Sequence, residues 1–175
     1  MRELKALVQE YSDPVFTQAL GRHGEMMFDA AMATGGFLPK AKNVRSYAGK
    51  TWTQTDHNLD RVFERDSIAY GAEIKNTLPY IPPRELAVKI TMCQHLGLTP
   101  LFIVRFAPKS YIEDTRRQGG FTLLFKYQLY PFGYADLARR VKTALNLPVD
   151  CPRAIEDGTI QRLVTWHLKH SVPHA

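Results

Sequence analysis

The sequence predicts a single α/β domain with a mixed central sheet flanked by helices, and three observations predict it. Phe16, Leu20, Met27 and Ala31 recur at the spacing of one helix face early in the chain. Two β-rich runs, 58–63 and 72–77, lie on either side of a polar turn around Arg65-Asp66-Ser67. Residues 99–106 form a continuous apolar run of strand length, as a central strand covered on both faces requires. A helix between the second and third of these runs makes a strand–helix–strand crossover, which is right-handed and pairs the two strands in parallel.

The elements follow in chain order. Residues 1–11 read as a short helix with Leu4, Leu7 and Val8 on one side. Ser12-Asp13-Pro14 marks a fresh start, with Asp13 as N-cap and Pro14 in the first turn. This second helix ends near Gly35-Gly36, and Gly21 and Gly24 weaken its middle. His23 falls near its apolar stripe and reads as a packed residue. Residues 37–47 are strand-like and carry Lys40, Lys42 and Arg45, either as phosphate contacts or as the charges of an exposed edge strand. Residues 48–57 read as a polar loop holding Trp52, with Asp56 and His57 just before the first β-run. Prolines 79, 82 and 83 exclude regular structure after Thr77. A helix over 84–96 follows, closed by Gly97, with Leu86, Ile90 and Cys93 buried and Lys89 and Gln94 flanking them. Past the apolar run come a polar, helical insert over 108–118 and an aromatic-rich strand over 121–130. A helix after Gly133 turns Leu137, Val141 and Leu145 inward and leaves Arg139, Arg140 and Lys142 outside. The last helix, over 159–169, packs Ile160, Leu163, Val164 and His167. His170 and His174 are too loosely spaced for a metal site.

Composition narrows the function classes. A chain of 175 residues, 45% hydrophobic and 23% charged, can bury one proper core and needs no second domain. The net charge of +6 raises the weight of a polyanionic partner without deciding it. Cys93 and Cys151 are too few for a disulfide framework or a cysteine-rich zinc site, so both read as reduced thiols in a cytoplasmic protein. The chain shows neither a signal-peptide core nor an apolar run long enough for a membrane. There is no phosphate-binding glycine loop, which argues against a nucleotide cofactor.

The chemistry concentrates in the two β-runs. In a strand, residues i and i+2 share a face, so Glu73 and Lys75 project together while Ala72 and Ile74 point the other way. If the runs form a hairpin, the lone acid Asp60, set between apolar neighbours, can approach Glu73. Two carboxylates suit a hard divalent cation such as magnesium, which takes one or two of them with water and phosphate oxygens. A neighbouring lysine can position a nucleophilic water or offset charge on a phosphate.

Asp60 followed after 13 residues by Glu73-Ile74-Lys75 resembles the motif of the PD-(D/E)XK nuclease superfamily, although Leu59 stands where its name places proline. The resemblance covers about residues 14–106 and implies the restriction-endonuclease-like α-β-β-β-α-β core, with 107–175 outside it. It also implies a Mg2+-dependent endonuclease acting on DNA, with Mn2+ able to substitute. Asp60, Glu73 and the backbone carbonyl of Ile74 would be the metal ligands, with Lys75 orienting or deprotonating the attacking water. Superfamily members often carry a glutamate on the helix before the sheet. Glu25 fits by position, although a straight helix puts it opposite the apolar stripe. Lys89 and Gln94 would be further candidates facing the site. A homodimer is implied for a member that cuts both strands. Two other readings compete: a basic DNA-binding module on the same fold that does not cut, and an ordinary ion-paired hairpin.

Overall fold

The computed structural model describes residues 2–170. The elements are α1 (Arg2–Tyr11), α2 (Pro14–Thr34), β1 (Leu38–Val44), and a small hairpin of β2 (Ser46–Tyr47) and β3 (Lys50–Thr51). Then come β4 (Leu59–Arg65), β5 (Ile68–Lys75), α3 (Pro83–Leu96), β6 (Thr99–Val104), α4 (Lys109–Arg117) and β7 (Phe121–Leu124). The chain closes with β8 (Gln128–Leu129), α5 (Ala135–Leu145), β9 (Val149–Asp150) and α6 (Asp157–His170). Five strands form one sheet in the order β1-β4-β5-β6-β7. β1, β4 and β5 are antiparallel neighbours, whereas β5, β6 and β7 run parallel, so the sheet is mixed.

Local chemistry explains the boundaries that matter. Asp13 accepts hydrogen bonds from the amides of Val15 and Phe16 at 2.8 and 3.2 Å, capping α2 ahead of Pro14. Asp66 and Ser67 both adopt positive φ, 50° and 63°, the two-residue turn whose twist suits a tight hairpin, and they join β4 to β5. Gly97, at φ 74°, ends α3 in the left-handed conformation.

The sheet is covered on both faces. Phe63, Tyr70, Ala72, Ile74, Leu101 and Ile103 pack against Met27, Phe28 and Met32 of α2 and Leu163 of α6. On the other face, Met92, Cys93 and Leu96 of α3 pack against Val62, and Leu86 and Ile90 pack against Phe102 and Val104. His167 of α6 is fully buried, its ring nitrogens within hydrogen-bond distance of the Tyr70 hydroxyl (2.5 Å) and Asp66 Oδ2 (2.9 Å). No helix among the described residues is long and apolar enough to cross a membrane.

One expectation needs correction. The aromatic-rich run over 121–130 is not one strand. After the Phe125 amide bonds to the Val104 carbonyl, the chain turns away, and Gln128 and Leu129 pair in parallel with Val149 and Asp150 instead. Asn76 fixes that departure: its side-chain carbonyl accepts the Leu129 amide at 2.7 Å, and its Nδ2 donates to the Leu20 and Leu129 carbonyls. α2 runs unbroken through Gly24. A Cβ there would stand 2.6 Å from Asn76 Cβ, so the glycine is what lets α2 reach the end of β5. Gly24→Ala should therefore lower unfolding free energy by about 1–3 kcal/mol in urea titration, despite alanine's better helix propensity. An unchanged midpoint would show that Asn76 can move without losing its bonds.

Candidate active site

The site forms where β4 and β5 part. Their paired residues run from Arg65 opposite Ile68 to Arg61 opposite Ala72. Beyond that point the half-buried Asp60 side chain bridges the strands, its Oδ2 accepting the Ile74 amide at 2.8 Å. Strand alternation turns Ala72 and Ile74 into the core under α2 and sends Glu73 and Lys75 toward α3. Glu73 is only 1% exposed. Its Oε1 lies 2.9 Å from Lys75 Nζ, which also reaches Glu85 of α3 at 3.0 Å. Its Oε2 lies 2.6 Å from Nζ of Lys89, a buried lysine that also donates to the Asn58 carbonyl. Glu85 and Lys89 stand four residues apart, one turn of α3, and so share the face that meets β5.

A second charged group reaches Asp60 from the other layer. Buried Arg61 places Nη1 2.8 Å from Glu25 Oε2 and donates Nε and Nη2 to Asp29 at 2.9 and 3.0 Å. The same Nη1 donates to the Asp60 carbonyl at 2.8 Å. Glu25 and Asp29 are likewise one turn apart on α2. Glu25 therefore lies beside the site, held there by Arg61, and is not a loosely solvated side chain.

The electrostatics follow from burial and crowding. Loss of water raises the Glu73 carboxyl above the usual carboxylate range, and the charge of Asp60 raises it further. Burial likewise raises Asp60, against the Ile74 amide and the two lysines, with Glu25 adding a smaller upward push. Burial opposes the charged form of Lys75, but Glu73 and Glu85 outweigh it and hold the ammonium above the ordinary lysine range. Lys75 is thus a fixed positive charge at neutral pH. It can orient a water or meet an anion, but it is badly suited to accept a proton.

The donor set fits a magnesium ion. Among the described residues, no three or more His, Cys, Asp and Glu side chains converge into a ready-made cation cage. Magnesium does not need one, because it keeps several waters and uses only one or two protein carboxylates. Buried Glu73 Oε1 receives no hydrogen bond, since the neighbouring ammonium is close but poorly aimed. A divalent charge between Glu73 and Asp60 would offset the loss of water that raises both carboxyls and the Asp60 charge that raises Glu73 further.

The remaining candidates sort clearly. Gln94 is exposed and bonded to Gln118, turned away from the site. Lys40, Lys42 and Arg45 pair with Glu64, Asp29 and Asp56, and β1 is an edge strand of the sheet. Asp56 is exposed, and His57 is bonded to Thr55. Arg139 and Arg140 pair with Asp136 and Glu10, which blunts the basic face of α5. His170 bonds its own helix at Trp166, and His174 lies outside the described residues. Sequence reasoning missed Arg61, Asp29 and Glu85. Their signal was the pairing of charges one helical turn apart beside buried stripes, Glu25 with Asp29 and Glu85 with Lys89.

Comparison of the chain with protein-family models, with curated proteins and with solved structures finds no match in any of the three.

Proposed function

We propose that the protein is a magnesium-dependent endonuclease of the PD-(D/E)XK type that hydrolyses phosphodiester bonds in DNA. The observation that carries the proposal is the convergence of Asp60, Glu73 and Lys75 at the parting of β4 and β5, with the Lys75 ammonium 2.9 Å from Glu73. Asp60, Glu73 and the Ile74 carbonyl would hold Mg2+ or Mn2+, an ion that would supply polarisation of the phosphoryl oxygen and a water acidic enough to attack. Lys75, kept protonated by Glu73 and Glu85, orients the attacking water and offsets the charge that grows on the phosphate. Glu25, fixed by Arg61, is placed to accept a hydrogen bond from water on the α2 side of Asp60. Cutting both strands of a duplex calls for a two-fold dimer, and a protein that stays monomeric at cleavage-competent concentrations would remove that part of the reading.

The test is cleavage of labelled single-stranded, duplex and four-way-junction DNA with Mg2+, each with an EDTA control. Glu73→Gln should abolish the metal-dependent product, and Lys75→Ala should slow its formation by on the order of 10²–10⁴-fold. No cleavage by folded wild-type protein, with Mn2+ also tried, rejects the enzyme.

A second reading has its own support. Glu73 already faces two ammonium groups, at 2.6 and 2.9 Å, which can neutralise it without any metal. A DNA-binding module that does not cut would keep this arrangement. Both readings use the net charge of +6, so DNA affinity should fall steeply between low and physiological salt. A flat salt dependence would remove DNA as the partner.

A further inference from the structure

The end of the sheet that carries Lys75 also carries a surface with no part in the chemistry above. β5 and β6 run parallel with Lys75 beside Val104, so the segments leaving them, Leu78-Pro79-Tyr80 and Arg105-Phe106, lie side by side. Arg105 donates to the Leu78 carbonyl and ties the two segments together. Tyr80 is 49% exposed and Phe106 50%, and their ring centroids stand 6.2 Å apart. Tyr111 of α4 supports the pair from below, edge-on to Tyr80 at 5.8 Å and itself buried. Two large aromatic rings are thus held in water by a rigid base, where burial would have been the favourable state.

The charges around the pair identify what they would meet. Arg84 opens α3 beside Glu85, the acid that holds Lys75, and Lys109 opens α4 two residues before Tyr111. Both are exposed, and among the described residues neither has a carboxylate partner within ion-pair distance. Flat exposed rings, followed along the chain by unpaired cations four and three residues on and set at the sheet end that carries Lys75, match unpaired nucleotides. Their bases stack on aromatic faces without regard to sequence, and their backbone follows positive charge. Paired bases in a duplex offer no free face to such a platform. A protein partner would need acids facing the cations and apolar groups facing the rings at once.

We propose that Tyr80 and Phe106 form a stacking subsite for unpaired bases, with Arg84 and Lys109 on the adjoining phosphates, so that the preferred substrate carries a single-stranded segment next to the cleaved bond. The inference rests on the nuclease reading for its substrate but is tested by binding alone. Fluorescence anisotropy in EDTA would compare a blunt duplex with the same duplex bearing an oligothymidylate tail. Wild type should bind the tailed duplex more tightly, and Tyr80→Ala or Phe106→Ala should weaken it roughly tenfold while leaving the blunt duplex unchanged. Tyr80→Phe keeps the ring and should keep the preference, which separates stacking from loss of the hydroxyl or of the fold. Equal wild-type affinity for the two duplexes overturns the subsite, and so does a Tyr80→Ala loss shared by both. Those results leave the nuclease reading standing if metal-dependent cleavage persists. Conversely, tail preference without any cleavage upholds the subsite and rejects the nuclease.

Discussion

Lys75→Ala is expected to slow magnesium-dependent DNA cleavage by on the order of 10²–10⁴-fold, the range lost when a group positioned for proton or water handling is removed. Affinity for DNA in calcium should stay close to wild type, because the ammonium acts on the reacting phosphate and not on the rest of the duplex. The fold should survive, since Lys75 is only half-buried and Glu73 keeps Lys89 as a partner. Lys75→Arg should recover little. A guanidinium forms a planar fork and cannot take the place of a compact ammonium between Glu73 and Glu85. Single-turnover cleavage at fixed Mg2+ measures the effect. A wild-type rate in Lys75→Ala would move the role to Lys89, the other ammonium on Glu73, and Lys89→Met would then be the inactive variant.

The second large effect is on stability. Glu73→Ala should cost about 3–5 kcal/mol of unfolding free energy, because it strands a buried charge at Lys89. Only the Asn58 carbonyl would remain to Lys89, whereas Lys75 would keep Glu85. For a domain stable by about 5–15 kcal/mol, the loss is large enough to confuse an activity measurement. Glu73→Gln is therefore the proper catalytic control, since the amide oxygen still accepts from Lys89 while the metal-binding charge is gone. The double variant Glu73→Gln with Lys89→Met removes both buried charges and should recover most of the lost stability. Urea unfolding checks the series. A Glu73→Ala cost below about 1 kcal/mol would show that the pair behaves like a solvated surface bridge.

Gly24 and Asn76 show how far the site depends on packing. The close approach of α2 to the end of β5 brings Glu25 near Asp60, and it requires the missing side chain at Gly24. The three hydrogen bonds of the Asn76 side chain then lock that approach to the start of β8. A larger residue at Gly24 would push away the helix that carries both Glu25 and Asp29.

Local chemistry in the sequence determined the α/β class, the Asp13 cap, the β4–β5 turn, the Gly97 stop and the parallel pairing of β5 with β6. It also brought Glu73 and Lys75 to one face, because a strand alternates with a period of two whatever lies beyond it. The cap, the turn and the stop each depend on residues within a few positions of one another, and the β5–β6 pairing follows from the strand–helix–strand order. Helix-face reasoning failed for Glu25 because it places a side chain relative to its own helix and says nothing of Arg61, which comes from a strand 36 residues later. From its own helix Lys89 reads only as a residue flanking the buried stripe of α3, for the same reason. Only the docking of α3 on β5 turns it into a buried partner of Glu73. Charge pairing across layers is decided by tertiary packing, since a charge can stay in the interior only where another element supplies its partner.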